Sequence, residues 1–227
     1  MLYTEDAVRA NIRNREGKRV FFLAKGDTLT PGARDWLRSE KIEILPGEQA
    51  KIQIFRLLNG GYMEEKPESM THLYGDVLVE KTHPRIGFRG AMDTLEAEIL
   101  LCQLAVPEKR KELGEILGLS REILRCEVLE EPLGEKKLCG FTAEELRKRS
   151  HFPGEYYGQP HFMPEYGDGE GILRLNRLRC AVREAERKAV AAFQGPGGKL
   201  TREDIPKALN RMSSAVYLLM IELKKDR

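Results

Sequence analysis

Residues 172–193, ILRLNRLRCAVREAERKAVAAF, decide the fold, because their apolar side chains recur at the spacing of one helix face. The repeat runs in alternating steps of three and four residues, which is typical of a helix inside a bundle. Its members are Leu175, Leu178, Val182, Ala185, Ala189 and Ala192. A stripe of the same kind follows at Ile205, Leu209, Met212, Val216, Leu219 and Leu223. Thr201 and Asp204 are typical of its first turn. The two stretches predict two long helices.

A third stripe lies upstream, in residues 88–104, again with steps of four and three residues. It consists of Phe88, Met92, Leu95, Ile99 and Cys102. Two shorter helices are predicted over Glu108–Leu117 and Arg121–Glu130, with Ser120 as the N-cap of the second. The central part of the chain is therefore expected to be helical almost throughout.

One more short helix is marked by its cap. Thr142 is followed three residues later by Glu145, the spacing of a capping box, and the helix is predicted to end at Arg149. Together these elements predict a mainly α protein, an up-and-down helical bundle of about five helices with a small N-terminal α/β extension.

The N-terminal region has a different pattern. Residues 1–58 hold short apolar runs at 19–23, 42–45 and 52–55, which favour strands, and Thr30 followed by Pro31 is a helix start. Residues 59–70 are rich in turn formers and charge, so we interpret them as a linker. The bundle domain is then predicted over 71–227.

Composition excludes several classes of protein. The chain of 227 residues has 38 Lys and Arg against 36 Asp and Glu, a net charge of +2. Such a balance argues against binding to nucleic acid or to a membrane through bulk charge. No apolar run reaches the length of a membrane span, and the first residues lack the apolar core of a signal peptide. We expect a cytoplasmic protein.

The chain carries no recognisable metal or standard nucleotide motif. Its cysteines and histidines lack zinc spacing, so we expect free thiols and no metal site. The cysteines are Cys102, Cys126, Cys139 and Cys180, and the histidines are His72, His83, His151 and His161. Residues 195–200 approach a Walker loop, but Leu200 stands where Ser or Thr is needed, so a turn between helices is the better interpretation.

Polar residues run beside the apolar stripes of both long helices. On the first they are Asn176, Arg179, Arg183, Glu186 and Arg187, and on the second Asn210, Ser213, Ser214 and Tyr217. Two explanations stay open at this point. The arginines are either half-buried and paired with carboxylates of neighbouring helices, or they bind a polyphosphate, which suits the planar guanidinium fork.

The helix that begins near Phe88 supplies carboxylates for the first explanation. Asp93 and Glu96 lie one turn apart beside its apolar stripe. An ion pair between Arg183 and Asp93 across the bundle is geometrically reasonable.

Residues 151–171 interrupt the helical pattern with prolines, glycines and aromatic residues. Irregular segments of this length inside a compact domain are usually functional, and the aromatic content argues against disorder. His161 is the histidine in this segment that we single out as a candidate for function.

Residues 179–187 (RCAVREAER) and 209–217 (LNRMSSAVY) closely resemble the paired C-terminal motifs of ATP:cob(I)alamin adenosyltransferases of the propanediol-utilisation type. Residues 71–93 resemble that family's segment from the phosphate loop into the first helix. The N-terminal region, with LTPGAR at 29–34, is most similar to the ethanolamine-utilisation branch. The resemblance covers essentially the whole chain.

The resemblance implies an enzyme that transfers the 5′-deoxyadenosyl group of ATP to cob(I)alamin, giving adenosylcobalamin and triphosphate. The implied ATP-binding residues are Thr71, Lys81, Arg183, Glu186, Arg187 and Asn210. Asp93 would anchor Arg183, and these two are the implied catalytic pair. The segment 151–171 would form an apolar lid, in which His161, Phe162 and Met163 would contact cobalamin. Mg²⁺ would accompany the triphosphate.

The family assembles as homo-oligomers, so we expect a trimer, with a dimer as the alternative. Candidate partners are a cobalamin-dependent lyase or a bacterial microcompartment, and the N-terminal region either docks such a partner or is a stabilising extension. No nucleic acid or membrane partner is expected.

Three departures from the family pattern matter. The glycine-rich phosphate loop is missing, Glu184 stands where an arginine is common, and residues 40–70 contain neither His nor Cys, so no zinc or iron site is expected. The missing loop supports a rival interpretation, a catalytically inactive nucleotide or cobalamin carrier or scaffold. A nucleic-acid module ranks third, because Lys and Arg are interleaved with Glu.

Overall fold

The computed structural model describes residues 1–15, 18–47, 55–63 and 65–225. The chain divides into two compact units, Met1–Ile54 and Phe55–Arg227. The division falls four residues before the end predicted for the N-terminal region. Each unit has a hydrophobic core of its own.

The first unit is a small α/β structure. Its elements are β1 (Leu2–Tyr3), α1 (Glu5–Ala10), β2 (Arg13–Arg15), β3 (Lys18–Ala24), β4 (Thr28–Leu29), α2 (Pro31–Ser39) and β5 (Glu43–Gly47). Strand β3 pairs antiparallel with β2 and parallel with β5, and β1 pairs parallel with β4. The Thr30 hydroxyl caps α2 by accepting a hydrogen bond from the Ala33 amide, with Pro31 in the first turn as predicted.

The second unit begins with a four-stranded sheet. Its strands are β6 (Phe55–Leu57), β7 (Tyr62–Met63), β8 (Met70–Tyr74) and β9 (Val77–Glu80), in the order β7-β6-β9-β8. The predicted linker, residues 59–70, therefore contributes β7 and the first residue of β8. Strands of two to five residues are too short to give a periodic sequence signal. Of the predicted strand 52–55, Phe55 lies in β6, and residues 52–54 lie outside the described residues.

Six helices follow in the described part of this unit. They are α3 (Pro84–Ala105), α4 (Arg110–Val128), α5 (Ala143–His151), α6 (Pro153–Tyr157), α7 (Gly169–Phe193) and α8 (Asp204–Lys225). Helix α3 packs on α7 and α4, and α8 packs on α7 and α5. The mainly α fold with a small N-terminal α/β part is confirmed.

The apolar stripes form the core of the bundle. All five members of the α3 stripe and all six of the α8 stripe are buried, and on α7 only Ala192 is partly exposed. The capping box at Thr142 and Glu145 is present at the start of α5.

Two local predictions are wrong. The two helices predicted on either side of Ser120 are the single helix α4, in which Ser120 is fully buried mid-helix and caps nothing. The segment predicted to be irregular from 151 to 171 contains α6, a short 3-10 turn at Tyr166–Asp168 and the first turn of α7. Proline in the first turn of α6 starts that helix, and Gly158 ends it in the left-handed conformation.

A buried ionic cluster joins β8, α3 and α4. Glu127 is fully buried and accepts hydrogen bonds from Arg85 at 2.6 Å and from Arg89 at 2.7 Å. Arg89 also donates to the carbonyl of Leu73 in β8. Because both carboxylate oxygens are occupied, the charge is compensated inside the fold.

None of the helices in the described residues has the length and apolar character needed to cross a lipid bilayer.

Candidate functional site

A cleft of about 1360 Å³ runs along the outer faces of α7 and α8. The end of α5 and residues 161–164 form its rim. The same two helices that bury their apolar stripes in the core therefore present their polar faces to this cavity. This volume exceeds the roughly 300–1,000 Å³ that is usual for small-molecule sites, so the cleft has room for a large ligand or for more than one.

The predicted polar stripes meet in the cleft. Its polar lining includes Asn176, Arg179, Arg183, Glu186 and Arg187 from α7, with Asn210, Ser213 and Ser214 from α8. Helical spacing places each set on one face, and the packing of α7 on α8 brings the two sets next to each other, close enough for Asn210 to hydrogen-bond Glu186.

Among the residues that the structure describes, the arginines of the cleft have no carboxylate partner on a neighbouring helix. Within the described residues, Arg183 forms no ion pair, and Arg187 pairs only with Glu184 of its own helix. The Arg179 guanidinium lies over the ring of Tyr217, 5.2 Å from its centre, and its Nε atom is buried without a hydrogen-bond partner. The structure therefore does not support the first explanation, in which carboxylates of neighbouring helices neutralise these arginines.

Glu186 and Asn210 are held together in the cleft. The side-chain Nδ2 of Asn210 donates a hydrogen bond to Glu186 at 2.9 Å, and the side-chain Oδ1 of Asn210 accepts one from Arg211. Burial, together with nearby Arg147, lowers the pKa of Arg211. Arg211 thus lies behind Asn210 and fixes which way its amide faces.

Part of the cleft lining is apolar. It consists of Phe162, Met163, Pro164, Tyr217 and Met220, with the Arg179 guanidinium over the Tyr217 ring. Met163 is 86% exposed, so a large apolar side chain faces solvent at the rim. The lining thus offers groups that suit an anion and groups that suit an apolar, planar ligand.

Three of the sequence-predicted site residues lie outside the lining of this cleft. Thr71 is half-buried on β8, Lys81 follows β9 and lies 3.9 Å from Glu68, and Asp93 is exposed on α3. The predicted Arg183–Asp93 ion pair is wrong as a contact within one chain. Both side chains are exposed, because each lies beside its apolar stripe on the solvent side of its helix.

The structure adds cleft residues that sequence reasoning missed. Cys180 is exposed on the α7 wall, and Ser150, His151, Val190 and Met220 complete the lining. The spacing held a signal for Cys180, which lies four residues after Asn176 and three before Arg183. No comparable signal marks Ser150 and His151, since they are the last two residues of the short helix α5, whose packing brings its end to the rim.

Within the described ranges, no group of three His, Cys, Asp or Glu side chains is arranged to hold a metal ion.

Comparison with known proteins places this geometry in context. Residues 61–223 match the model of the cobalamin adenosyltransferase family. The match includes the whole of α7 and most of α8, so it covers both walls of the cleft.

Two curated relatives align with almost the entire chain. The corrinoid adenosyltransferase EutT of Salmonella typhimurium (strain LT2) is 32% identical over 242 aligned residues, which cover 96% of this chain and 90% of that protein. The corrinoid adenosyltransferase EutT of Escherichia coli (strain K12) is 33% identical with the same coverage.

Proposed function

The chain belongs to the cobalamin adenosyltransferase family, and we propose that the cleft along α7 and α8 is where it transfers the adenosyl group of ATP to cobalamin. The observation that carries this proposal is a cavity whose lining combines arginines that no carboxylate of a neighbouring helix neutralises within the described residues with an apolar set that includes Phe162 and Met163. The chain is an enzyme, an ATP:cob(I)alamin adenosyltransferase of the ethanolamine-utilisation type.

The arginine-lined part of the cleft suits the triphosphate of ATP. The reduced cobalt attacks the 5′ carbon, the bond from that carbon to the triphosphate oxygen breaks, and negative charge grows on the leaving group. No protein nucleophile is needed, so the enzyme contributes positioning and electrostatic stabilisation. Arg183 and Arg187 supply donors for phosphate oxygens, and the Glu186–Asn210 pair supplies hydrogen bonds to the nucleoside.

The apolar part of the lining suits the corrin ring. His161, Phe162 and Met163 form a rim that covers one side of a planar ligand and keeps water away from the reacting atoms. The transfer then takes place within a single cavity.

We place the contacts of Thr71, Lys81 and Asp93 between copies of the chain, because one chain does not bring them to the cleft. Helix α3, which carries Asp93, also has a second set of apolar side chains, which is exposed and separate from its buried stripe. It consists of Leu100, Leu101 and Leu104, which are 46%, 47% and 73% exposed. A homo-oligomer, a trimer or a dimer, would bury this second set and bring Asp93 of one copy to Arg183 of the next.

Further parts of the proposal concern cofactor and surroundings. Mg²⁺ accompanies ATP and is bound by phosphate oxygens and water. We place the enzyme in the cytoplasm, with a cobalamin-dependent lyase or a microcompartment as its partner.

The experiment that tests the ATP site is a thermal unfolding series with MgATP. A ligand at a hundred times its dissociation constant stabilises the folded state by about 2.7 kcal/mol. We expect wild-type protein to show this shift and Arg187→Ala to lose it. The control is Arg177→Ala, whose arginine pairs with Glu98 on α3 and lies outside the cleft. An Arg187→Ala shift equal to that of wild type would move the ATP site elsewhere.

The missing phosphate loop favours the rival function, an inactive carrier. An ATP-dependent shift without product formation would support the carrier, and a shift with product formation supports the transferase.

A further inference from the structure

The segment between α6 and the 3-10 turn at Tyr166–Asp168 forms part of the cleft rim without regular secondary structure. Within residues 159–164, the hydrogen bonds that the structure describes are made by two consecutive residues, His161 and Phe162. Both of them meet the same side chain of α8, Tyr217. The position of the rim therefore depends on few contacts.

Tyr217 makes two hydrogen bonds with this segment. Its hydroxyl accepts from the Phe162 amide at 3.3 Å and lies 3.0 Å from Nδ1 of His161. The other ring nitrogen of His161, Nε2, lies 3.1 Å from the carbonyl of His151 at the end of α5. His161 thus bridges α5 and α8 across the rim.

Counting donors and acceptors assigns the protons. The Phe162 amide can only donate, so it occupies the Tyr217 oxygen as an acceptor. The His151 carbonyl can only accept, so Nε2 of His161 carries a proton and donates to it. In the neutral ring Nδ1 is then unprotonated and accepts from the Tyr217 hydroxyl. All three bonds are satisfied by one neutral tautomer of His161.

The rings reinforce this arrangement. His161 and Phe162 both stack on Tyr217, with interplanar angles of 12° and 26°. Arg179 lies over the Tyr217 ring, and Lys224 lies 4.3 Å from the centre of the Phe162 ring. A phenylalanine would fill the core at position 217 equally well, so the hydroxyl serves a purpose other than packing, and burying it requires the bonds described above.

We propose that Tyr217 is a positioning residue for the apolar part of the cleft lining, and that its hydroxyl holds Phe162 and Met163 in place through His161 and the Phe162 amide. This inference rests on the proposed function, since it assigns the corrin to the part of the cleft where these residues lie. Tyr217, His161 and the Phe162 amide together are called the Tyr217 latch below.

Two measurements on Tyr217→Phe test the latch. The substitution removes the hydroxyl and keeps the ring, so the fold is expected to persist. Hydrogen exchange in residues 158–165 should become at least about fivefold faster, the factor that corresponds to about 1 kcal/mol for one of the two hydrogen bonds that the substitution removes. The KM for cobalamin should rise by about the same factor, while the KM for ATP stays unchanged. A merely structural defect would not separate the two substrates.

The matched control is Tyr166→Phe, which removes a hydroxyl from the same region. Tyr166 is 94% exposed and is expected to behave as wild type in both measurements. Equal exchange rates and equal KM values in Tyr217→Phe and Tyr166→Phe would overturn the latch.

A double-mutant cycle with His161→Ala identifies the route. If Tyr217 acts in part through His161, the rise in the KM for cobalamin in the double variant should be smaller than the product of the two single effects, because only the bond to the Phe162 amide is left for Tyr217→Phe to remove. Fully additive effects would overturn that route. Absence of turnover in the wild type would contradict the proposed function instead, and the exchange measurement would still decide whether the latch exists.

Discussion

Two clusters of arginines in the helical unit differ in how their charge is compensated. Arg85 and Arg89 bind both oxygens of Glu127, a carboxylate with no exposure to solvent. Arg183 and Arg187 line an open cleft. Within the described residues, Arg187 forms an ion pair with Glu184 on the same helix turn, and Arg183 forms none. The first cluster is complete without any ligand. The second leaves guanidinium donors available to an anion.

Burial of the counter-charge distinguishes structural arginines from functional ones on similar helices. Residue type and helical spacing are alike in the two clusters, since Arg85 and Arg89, like Arg183 and Arg187, lie four residues apart. Burial of the counter-charge separates them. Removing a buried partner should therefore harm stability, and removing a cleft arginine should harm activity.

The largest effect on stability is expected from Glu127→Ala. Two arginines would lose their buried counter-charge, and breaking such a pair costs about 3–5 kcal/mol. Chemical denaturation measures the loss as a lower unfolding midpoint. Glu130→Ala is the matched control, because Glu130 also contacts Arg85 but is 57% exposed, and such pairs contribute about 1 kcal/mol or less. Equal losses in the two variants would remove the distinction between the clusters.

A smaller effect on stability is expected at Arg202, another arginine whose charge is compensated within the fold. It binds Asp204, which also accepts from the Leu133 amide at 2.9 Å. Burial opposes ionisation of Asp204, but these hydrogen bonds outweigh it, and the pKa of Asp204 lies below its ordinary value. A lowered carboxyl pKa stabilises the fold above the unfolded pKa, and this contribution is lost as the pH falls through the folded pKa.

Asp204→Asn should therefore cost about 1 kcal/mol at neutral pH, and the difference from wild type should shrink below about pH 4. Unfolding midpoints measured from neutral to acidic pH would show this. A difference that stays constant across the range would mean that the Asp204 charge does not contribute.

The smallest effect is a difference in thiol reactivity between core and cleft. Burial raises the pKa of Cys102 to about 11 and that of Cys139 to about 12, and Cys126 is buried, whereas Cys180 is exposed on the cleft wall. Only the thiolate reacts, so an alkylating reagent at mild pH should modify Cys180 first. MgATP with cobalamin should slow this reaction several-fold. Cys180→Ser should abolish the fast phase of alkylation. A fast phase that persists in this variant would mean that another cysteine is the accessible one.

The bundle could be predicted from sequence because helix packing demands regular apolar spacing. The stripes of α3, α7 and α8 follow it, and so do the polar faces that meet in the cleft, from Asn176 to Arg187 and from Asn210 to Tyr217. The sheet from β6 to β9 was missed, since its short strands bind mainly through backbone hydrogen bonds that leave little trace in side-chain pattern.

The remaining errors concern orientation and context. Periodicity places Asp93 and Arg183 beside their stripes, but it does not say which faces of α3 and α7 meet, and both residues face solvent. Ser120 suits an N-cap, yet α4 continues through it because apolar residues on both sides bury one common face. The contact of Tyr217 with His161 depends on the path of an irregular segment, which no spacing encodes.

The arginines of the cleft serve catalysis in the function proposed above. The most direct test mixes the protein anaerobically with MgATP and chemically reduced cob(I)alamin, and follows the visible spectrum for conversion to light-sensitive adenosylcobalamin. We predict conversion by wild type and by Arg174→Ala, whose arginine pairs with Glu170 outside the cleft, and a rate at least about a hundredfold lower for Arg183→Ala. Full activity of Arg183→Ala, or no conversion by wild-type protein that still binds MgATP, would contradict the account.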